Sequence, residues 1–305
     1  MNIHLSKLEI RDYLIGFALV LTMVGIATWQ HDYEIILPEI GALTTGTWIY
    51  HKNDWVNQPF KIFLAPFGTA VLGFLVNQLA IGYPEKVLLT LIAMLIWLRI
   101  VGSALAPSFA TGLLPVIVNA THWSFIVAIF AFTVILMLGV YIRGLQHGCK
   151  PGEPLHYQSM LIFMVVAAAW VGGVWLVGRP QMAAIPPVLV VFFEVLQKPT
   201  YSGKLMFKQI IALSLAATIG VLIHIGLASW LLTTLISLPL VFILLQLLDI
   251  KLPAAYAFPL LALVLPANMF SHLPVTAVLA ASFFLGLVYG YKKLATVIKF
   301  ALAND

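Results

Sequence analysis

Two segments of this chain join a proline to small and hydroxyl-bearing residues, a pattern that suits the binding of an anion. Proline fits the first turn of a helix, where its missing N–H is not needed. A helix that begins inside a membrane points free N–H groups and its positive dipole end at whatever precedes it. We therefore expect the residues that line an anion site to be Gly41, Thr44, Thr45, Pro107, Ser108 and Thr111, with Tyr256 contributing an aromatic wall. The alternative is that these residues only pack helices together.

Three ionisable residues fall within or at the ends of apolar stretches, where a charge without a partner is costly. Arg99 and Asp249 end two such stretches, and Glu194 lies deeper. One expectation is an ion pair of Arg99 with Glu194 or Asp249. The others are that Arg99 and Asp249 extend to the membrane surface and that Glu194 carries a proton.

The elements that hold these residues must lie in a membrane, because the composition excludes a water-exposed surface. Of 305 residues, 62% are hydrophobic and 9% are charged, whereas about a quarter of the residues of a soluble domain are charged. This excludes a soluble or disordered protein and an ordinary nucleic-acid binder. With Cys149 as the one cysteine and no Cys/His metal spacing, we expect no disulfide, no metal and no cofactor.

The apolar stretches predict an all-α membrane protein of about twelve transmembrane helices. Four stretches are short and begin at or near a proline: 36–50, 107–119, 183–197 and 253–267. The others are 12–29, 61–81, 86–102, 124–142, 159–178, 208–227, 230–249 and 273–291. With twelve crossings and a cytoplasmic N-terminus, only Lys86 and Arg179 of the 16 Lys and Arg residues lie outside. The positive-inside rule then predicts a multi-pass protein of the cell inner membrane with both termini in the cytoplasm.

The two halves of the chain resemble each other. Lys61 and Gly73 correspond to Lys208 and Gly220, and Pro107 corresponds to Pro253. Because six crossings is an even number, we expect parallel repeats related by an axis along the membrane normal. The predicted division is a first six-helix repeat at 1–142, a cytoplasmic linker at 143–158 and a second repeat at 159–305.

Part of the chain resembles the HPP integral membrane family, whose members have a Gly-Ala-Thr-Ala-like segment, a Gln-Pro loop and a glycine-bearing span. The corresponding segments here are 41–44, 58–60 and 68–73. The His-Pro-Pro motif falls on Ala106, Pro107 and Ser108, so that one of its three residues is kept. Plant members of that family are associated with nitrite transport, and the resemblance implies a transporter of a small anion. The layout also resembles the membrane part of the fusaric-acid-resistance or aromatic-acid-exporter family, which implies an organic carboxylate.

Together these features predict a transporter that moves an anion, nitrite-like or an organic carboxylate, through a site between two repeats. The expected partners are the lipid bilayer and the small anion, with no nucleic acid. Assembly into a homo-oligomer is a further possibility that the sequence leaves open. Motifs of metalloproteases, serine hydrolases and P-loop enzymes are missing, so we do not expect an enzyme. Two alternatives stay open, a non-transporting scaffold or assembly subunit and an intramembrane enzyme acting on a lipid-linked substrate.

Overall fold

The computed structural model describes residues 6–149 and 156–302, and this part of the chain forms helices without a β-strand. The first seven helices are α1 (Lys7–Gln30), α2 (Pro38–Thr44), α3 (Asn53–Val56), α4 (Pro59–Asn77), α5 (Tyr83–Val101), α6 (Ser108–Ile117) and α7 (Trp123–Ile142). The next seven are α8 (Tyr157–Leu176), α9 (Pro186–Gln197), α10 (Gly203–Leu227), α11 (Trp230–Leu248), α12 (Ala257–Val264), α13 (Ala267–Phe270) and α14 (Leu273–Leu302). Residues 150–155 of the predicted linker at 143–158 lie outside the described residues.

The fold is that of an all-helical membrane protein. Seven of the described helices are long and apolar enough to cross a bilayer, namely α1, α4, α7, α8, α10, α11 and α14. Large apolar side chains cover the outside of the bundle; Ile142 is 83% exposed and Leu176 is 79% exposed. Such a surface suits lipid rather than water. The prediction of an all-α membrane protein is therefore confirmed at this level.

Short helices occupy the positions of the four short stretches predicted from the sequence, and they lie in the interior of the bundle. Every residue of α2, α6 and α12 is buried, and α9 is exposed only in part, at Glu194 and Gln197. The long helices, by contrast, bury one face and leave the other open. A π-helix, Thr45–Ile49, continues α2, and a 3₁₀ turn, Pro253–Tyr256, leads into α12. A helix that is apolar on all sides must be enclosed by other elements.

Prolines set where three of these short segments begin. The residue before a proline is driven to extended backbone by contact with the proline ring. Leu37, Ile185 and Leu252 accordingly have ψ angles of 96°, 87° and 87°. The backbone is therefore extended at the residue before each of these prolines, and the helical turns begin at the proline itself.

One end of the bundle, which we call the proximal end, is held by a buried carboxylate. Asp12 of α1 is 2% exposed and accepts a 2.6 Å hydrogen bond from the guanidinium of Arg143, which follows α7. His51 lies 3.3 Å from the other oxygen of Asp12. Arg143 also donates to the carbonyl oxygen of Trp48 in the π-helix. The start of α1, the end of the α2 segment and the end of α7 thus meet here.

The opposite, or distal, end is organised around Glu34, which follows α1. Its carboxylate accepts hydrogen bonds from the backbone N–H groups of Thr121 and His122, at 3.0 and 2.9 Å. The Asn77 side chain at the end of α4 donates to the carbonyl oxygen of Ala120 at 3.0 Å. Glu34 and His51 therefore stand at opposite ends of the bundle, with α2 between them.

Two glycines allow a long helix to approach a short one closely. A Cβ atom at Gly73 of α4 would lie 1.8 Å from the carbonyl oxygen of Gly112 in α6. A Cβ atom at Gly220 of α10 would lie 2.6 Å from Cα of Pro259 in α12. Both contacts are with backbone, so no side chain can move aside to make room. Small residues at such positions are the usual way for membrane helices to pack closely.

We predict that Gly73→Ala destabilises the protein by about 1–3 kcal/mol, because the added methyl group forces α4 away from α6. The matched control is Gly25→Ala in α1, where a Cβ atom meets nothing within 4 Å. Gly25→Ala should leave stability unchanged or raise it slightly, since alanine favours the helix. Thermal unfolding in detergent of both variants measures the difference, and equal unfolding temperatures would contradict the close packing.

Candidate functional site

A polar cavity opens at the proximal end of the bundle. Its volume is about 220 Å³, and it lies between the α3 region and start of α4, the segment from α5 to α6, and the end of α9. It is lined by Asp54, Trp55, Asn57, Gln58, Lys61, Gly102, Ser103, Ala104, Leu105, Glu194, Gln197, Lys198 and Pro199. Residues from both halves of the chain form its wall, and the segment just before α6 forms part of it.

Lysine side chains dominate the electrostatics of this proximal cavity. Lys61 at the start of α4 donates a 2.5 Å hydrogen bond to the carbonyl oxygen of Gly102, beyond the end of α5. Lys52 forms an ion pair with Glu194 and lies over the ring of Trp55. The lining contains two carboxylates, those of Asp54 and Glu194, and Lys52 neutralises the second. The remaining charges of the lining are the two positive charges of Lys61 and Lys198 and the negative charge of Asp54. The wall is therefore suited to a small anion.

Aromatic side chains fill the interior next to the cavity. Phe109 of α6 packs against Phe163 of α8 and Phe193 of α9, with ring centroids 4.7 and 4.6 Å apart. Phe192 stacks on Phe163 at 5.0 Å. We call these four residues the aromatic cluster. In α9, Phe193 of this cluster directly precedes Glu194, a residue of the cavity wall.

The residues predicted from the first short segment are all buried, and one of them meets the second half of the chain. A Cβ atom at Gly41 would lie 3.1 Å from the carbonyl oxygen of Tyr256. Tyr256 itself is 0% exposed and packs 5.9 Å from the ring of Phe17. Thr45 donates its hydroxyl to the carbonyl oxygen of Gly41, whereas the hydroxyl of Thr44 makes no hydrogen bond.

The residues predicted from the second short segment face α4 instead. Thr111 shares a 2.6 Å hydrogen bond with Thr69, while the Ser108 hydroxyl has no partner. The first backbone N–H groups of α6 already donate hydrogen bonds within the chain. Those of Ser108, Phe109 and Ala110 each donate to the carbonyl oxygen of the residue three positions earlier. None of the seven predicted lining residues belongs to the wall of the proximal cavity.

The structure does not form the expected pairs of Arg99 with Glu194 or Asp249. Arg99 lies over the ring of Tyr157 and donates to its hydroxyl. Glu194 is bound by Lys52, and Asp249 caps the C-terminus of α11 in the left-handed backbone conformation, exposed. The physical reason is that the end of α9 lies beside the segment at 50–58, which places Lys52 next to the Glu194 carboxylate. Arg99, Glu194 and Asp249 therefore do not pair with one another in the described structure.

Glu39 is a buried acid that the sequence reasoning left out of the site. It follows Pro38 at the start of α2, is 1% exposed, and neither of its carboxylate oxygens accepts a hydrogen bond from another residue. An acid in the first turn of a helix ordinarily indicates a helix cap. The signal that could have identified it is its place in an apolar run after the proline that starts a short helix.

Comparison with known proteins finds no matching family model, no matching curated protein and no matching solved structure. Functional inference for this chain therefore depends on two observations, the proximal cavity with its lysines and the buried polar groups of the short helices.

The proximal cavity predicts a contrast in accessibility between two alanines in one segment. In a Cys149→Ser background, Ala104→Cys should react with a water-soluble maleimide, because Ala104 lines the cavity and is part exposed. Ala110→Cys in α6 should stay unlabelled, because Ala110 is 3% exposed. Mass spectrometry of the labelled protein in detergent measures both. Equal labelling of the two cysteines would contradict the burial of α6 beside an open cavity.

Proposed function

We propose that this chain is a membrane transporter for a small anion, nitrite-like or a small organic carboxylate, and that the proximal cavity is its entrance. The observation that carries the proposal is a polar, lysine-lined cavity at the contact between the two halves of the chain. Its volume of about 220 Å³ is below the roughly 300–1,000 Å³ of pockets for drug-sized ligands. A solute of a few heavy atoms fits such a space. The resemblance to the HPP family favours the same class of substrate.

We further propose twelve crossings in two parallel six-helix repeats. The order of long and short helices supports this, since α1, α2 and α4 to α7 correspond in sequence and length class to α8, α9, α10, α11, α12 and α14. Gly73 and Gly220 add support, because each faces the short helix of its own half. Glu34, which precedes the α2 segment, makes its contacts at the distal end, and His51, which follows that segment, makes its contact at the proximal end. These contacts support a full crossing by the α2 segment. Helix α5 counts as a crossing because its charged residues lie near its two ends.

In this proposal the substrate moves when one repeat rocks against the other. The proximal cavity does not reach the residues predicted to line the anion site, which are buried in the described structure. When the two halves move apart, the anion would pass along a route formed by Gly41, Thr44, Thr45, Pro107, Ser108, Thr111 and Tyr256. The unpartnered hydroxyls of Thr44 and Ser108 support this part of the proposal, because they are donors without a hydrogen bond.

A non-transporting scaffold is the second candidate. The observation in its favour is the packing of the aromatic cluster, which leaves the short helices enclosed by apolar side chains. The cavity at the proximal end and the unpartnered buried hydroxyls support transport over this alternative, because both offer polar groups to a solute.

Transport can be tested with purified protein in liposomes, using nitrite and an aromatic carboxylate as substrates. We expect uptake of one of them, and we expect Lys61→Gln to raise KM at least about tenfold. A hydrogen bond to a charged group contributes about 1.5–3 kcal/mol, and about 1.4 kcal/mol corresponds to a factor of ten. The matched control is Lys208→Gln, since Lys208 holds the corresponding position in α10 but lies outside the cavity wall.

Absence of uptake for every anion tested would remove the transport proposal and favour the scaffold. Uptake that Lys61→Gln and Lys208→Gln alter equally would leave transport standing but reject the proximal cavity as the entrance.

We also propose that the proximal end faces the cytoplasm of a cell inner membrane and that both termini lie there. In a Cys149→Ser background, Arg179→Cys should react with a membrane-impermeant thiol reagent added to intact cells, and Lys293→Cys should react only after the membrane is opened. Both positions are exposed, so the difference reports the side of the membrane. Reaction of Lys293→Cys in intact cells would reverse the proposed orientation.

A further inference from the structure

Glu39 lies in the interior of the bundle, on a helix that touches both halves of the chain. Helix α2 packs against α1, α6 and α7 of the first half, and against the Pro253–Tyr256 turn and α12 of the second half. The Glu39 side chain is 1% exposed. Rocking of one half against the other would therefore change the surroundings of the helix that carries Glu39.

Glu39 differs from the other buried acids of the described structure because it has no partner. Asp12 is bound by Arg143, Glu34 accepts two backbone N–H groups, and Glu194 is bound by Lys52. Neither oxygen of Glu39 accepts a hydrogen bond from another residue, and no described cationic side chain forms an ion pair with it. An ionised carboxylate in such a place would be very costly, so the group must be neutralised.

A proton neutralises Glu39 better than a metal ion does. Hard cations need several oxygen ligands around them, and the described residues contain no cluster of three acids, histidines or cysteines. The neighbours of Glu39 along α2, Ile40 and Leu43, are apolar and fully buried. A carboxylic acid needs only one proton and fits an apolar surrounding of this kind.

We propose that Glu39 is a proton-binding site in the membrane interior and the group that couples anion transport to a proton. This inference rests on the proposed transport function. When the halves separate and water reaches α2, the O–H bond of the carboxyl group breaks, the proton passes to water, and the carboxylate keeps the electron pair. The carboxylate must take up a proton again before the bundle closes around it. A proton that moves together with a small anion also cancels the charge that crosses the bilayer.

Few other titratable groups face this position. Helices α6, α7 and α12 carry no charged residue, and the Pro253–Tyr256 turn contributes Tyr256, which lies near Tyr13 and Tyr50. The charged residues of α1 are Lys7, Glu9, Arg11 and Asp12, all in its first two turns toward the proximal end, and the tyrosine near the end of α7 is Tyr141. The segment before α2 contributes Asp32, Tyr33 and Glu34 at the distal end. The buried acids Asp12 and Glu34 lie toward the two ends and have hydrogen-bond partners, so a carboxyl signal that Glu39→Gln removes is assigned to Glu39.

Infrared spectroscopy of the reconstituted full-length protein tests protonation directly. We expect the carbonyl stretch of a protonated carboxylic acid at neutral pH in the unsubstituted protein, its loss in Glu39→Gln, and its retention in Glu85→Gln. Glu85 is an exposed acid at the start of α5, so Glu85→Gln is the matched control for removal of one carboxyl group. A band that survives unchanged in Glu39→Gln, or no band at all, overturns the proton site.

Uptake into liposomes with and without an imposed pH gradient tests the coupling. We expect the gradient to drive anion accumulation in the unsubstituted protein and in Glu85→Gln. Glu39→Gln should lose gradient-driven accumulation but still exchange anion across the membrane. Glu39→Asp keeps a carboxyl group and should retain part of the coupling. Anion exchange by Glu39→Gln would show that its loss of gradient-driven accumulation is not a folding defect.

The outcomes separate this inference from the proposed function. Anion uptake by the unsubstituted protein with an unchanged gradient dependence in Glu39→Gln overturns the coupling role and leaves transport intact. No uptake by the unsubstituted protein overturns transport and coupling together, while the infrared band still decides whether Glu39 holds a proton.

Discussion

A helix that spans only part of the hydrocarbon layer, and leaves the rest of the path to non-helical backbone, can lie in a membrane only where other helices enclose it. Lipid offers no hydrogen-bond partner to the backbone, so extended or broken segments must be covered by protein. The ten residues of α6 rise about 15 Å at 1.5 Å per residue, about half of the roughly 30 Å thickness of the layer. The extended residues before α2, α9 and α12 face the same constraint. The long helices around them meet it, which explains why the short helices are buried on every side.

This enclosure also decides where polar groups can be placed. At the two ends of the bundle, Asp12 and Glu34 are buried but fully partnered, so they join helices without leaving a free charge. At the contact of the two halves, the Lys52–Glu194 pair removes one carboxylate from a cavity that also holds Lys61 and Lys198. Only Glu39 among the buried acids of the described structure is left without a partner. Unlike Asp12 and Glu34, Glu39 does not join helices through its side chain.

Much of the fold could be predicted from the residues because membrane helices follow local rules. Apolar runs of sufficient length identify α1, α4, α7, α8, α10, α11 and α14. Pro38, Pro186 and Pro253 mark where short helices start, since a proline acts on the backbone directly before it. The fully apolar sequence of α12 likewise predicts burial on all sides. Each of these inferences depends on residues within one segment, and for that reason a single sequence was sufficient.

The site was less predictable, because its partners come from segments far apart in the chain. By itself, the sequence determined the helical class, the membrane environment and the starts of the short helices, all of which follow from local hydrophobicity and proline geometry. Tertiary structure alone decided that Glu194 meets Lys52 rather than Arg99, that the first amides of α6 are taken by nearby carbonyl oxygens, and that Glu39 meets no partner. Whether a charge is paired or isolated depends on which helices pack together, and no pattern within one helix specifies that.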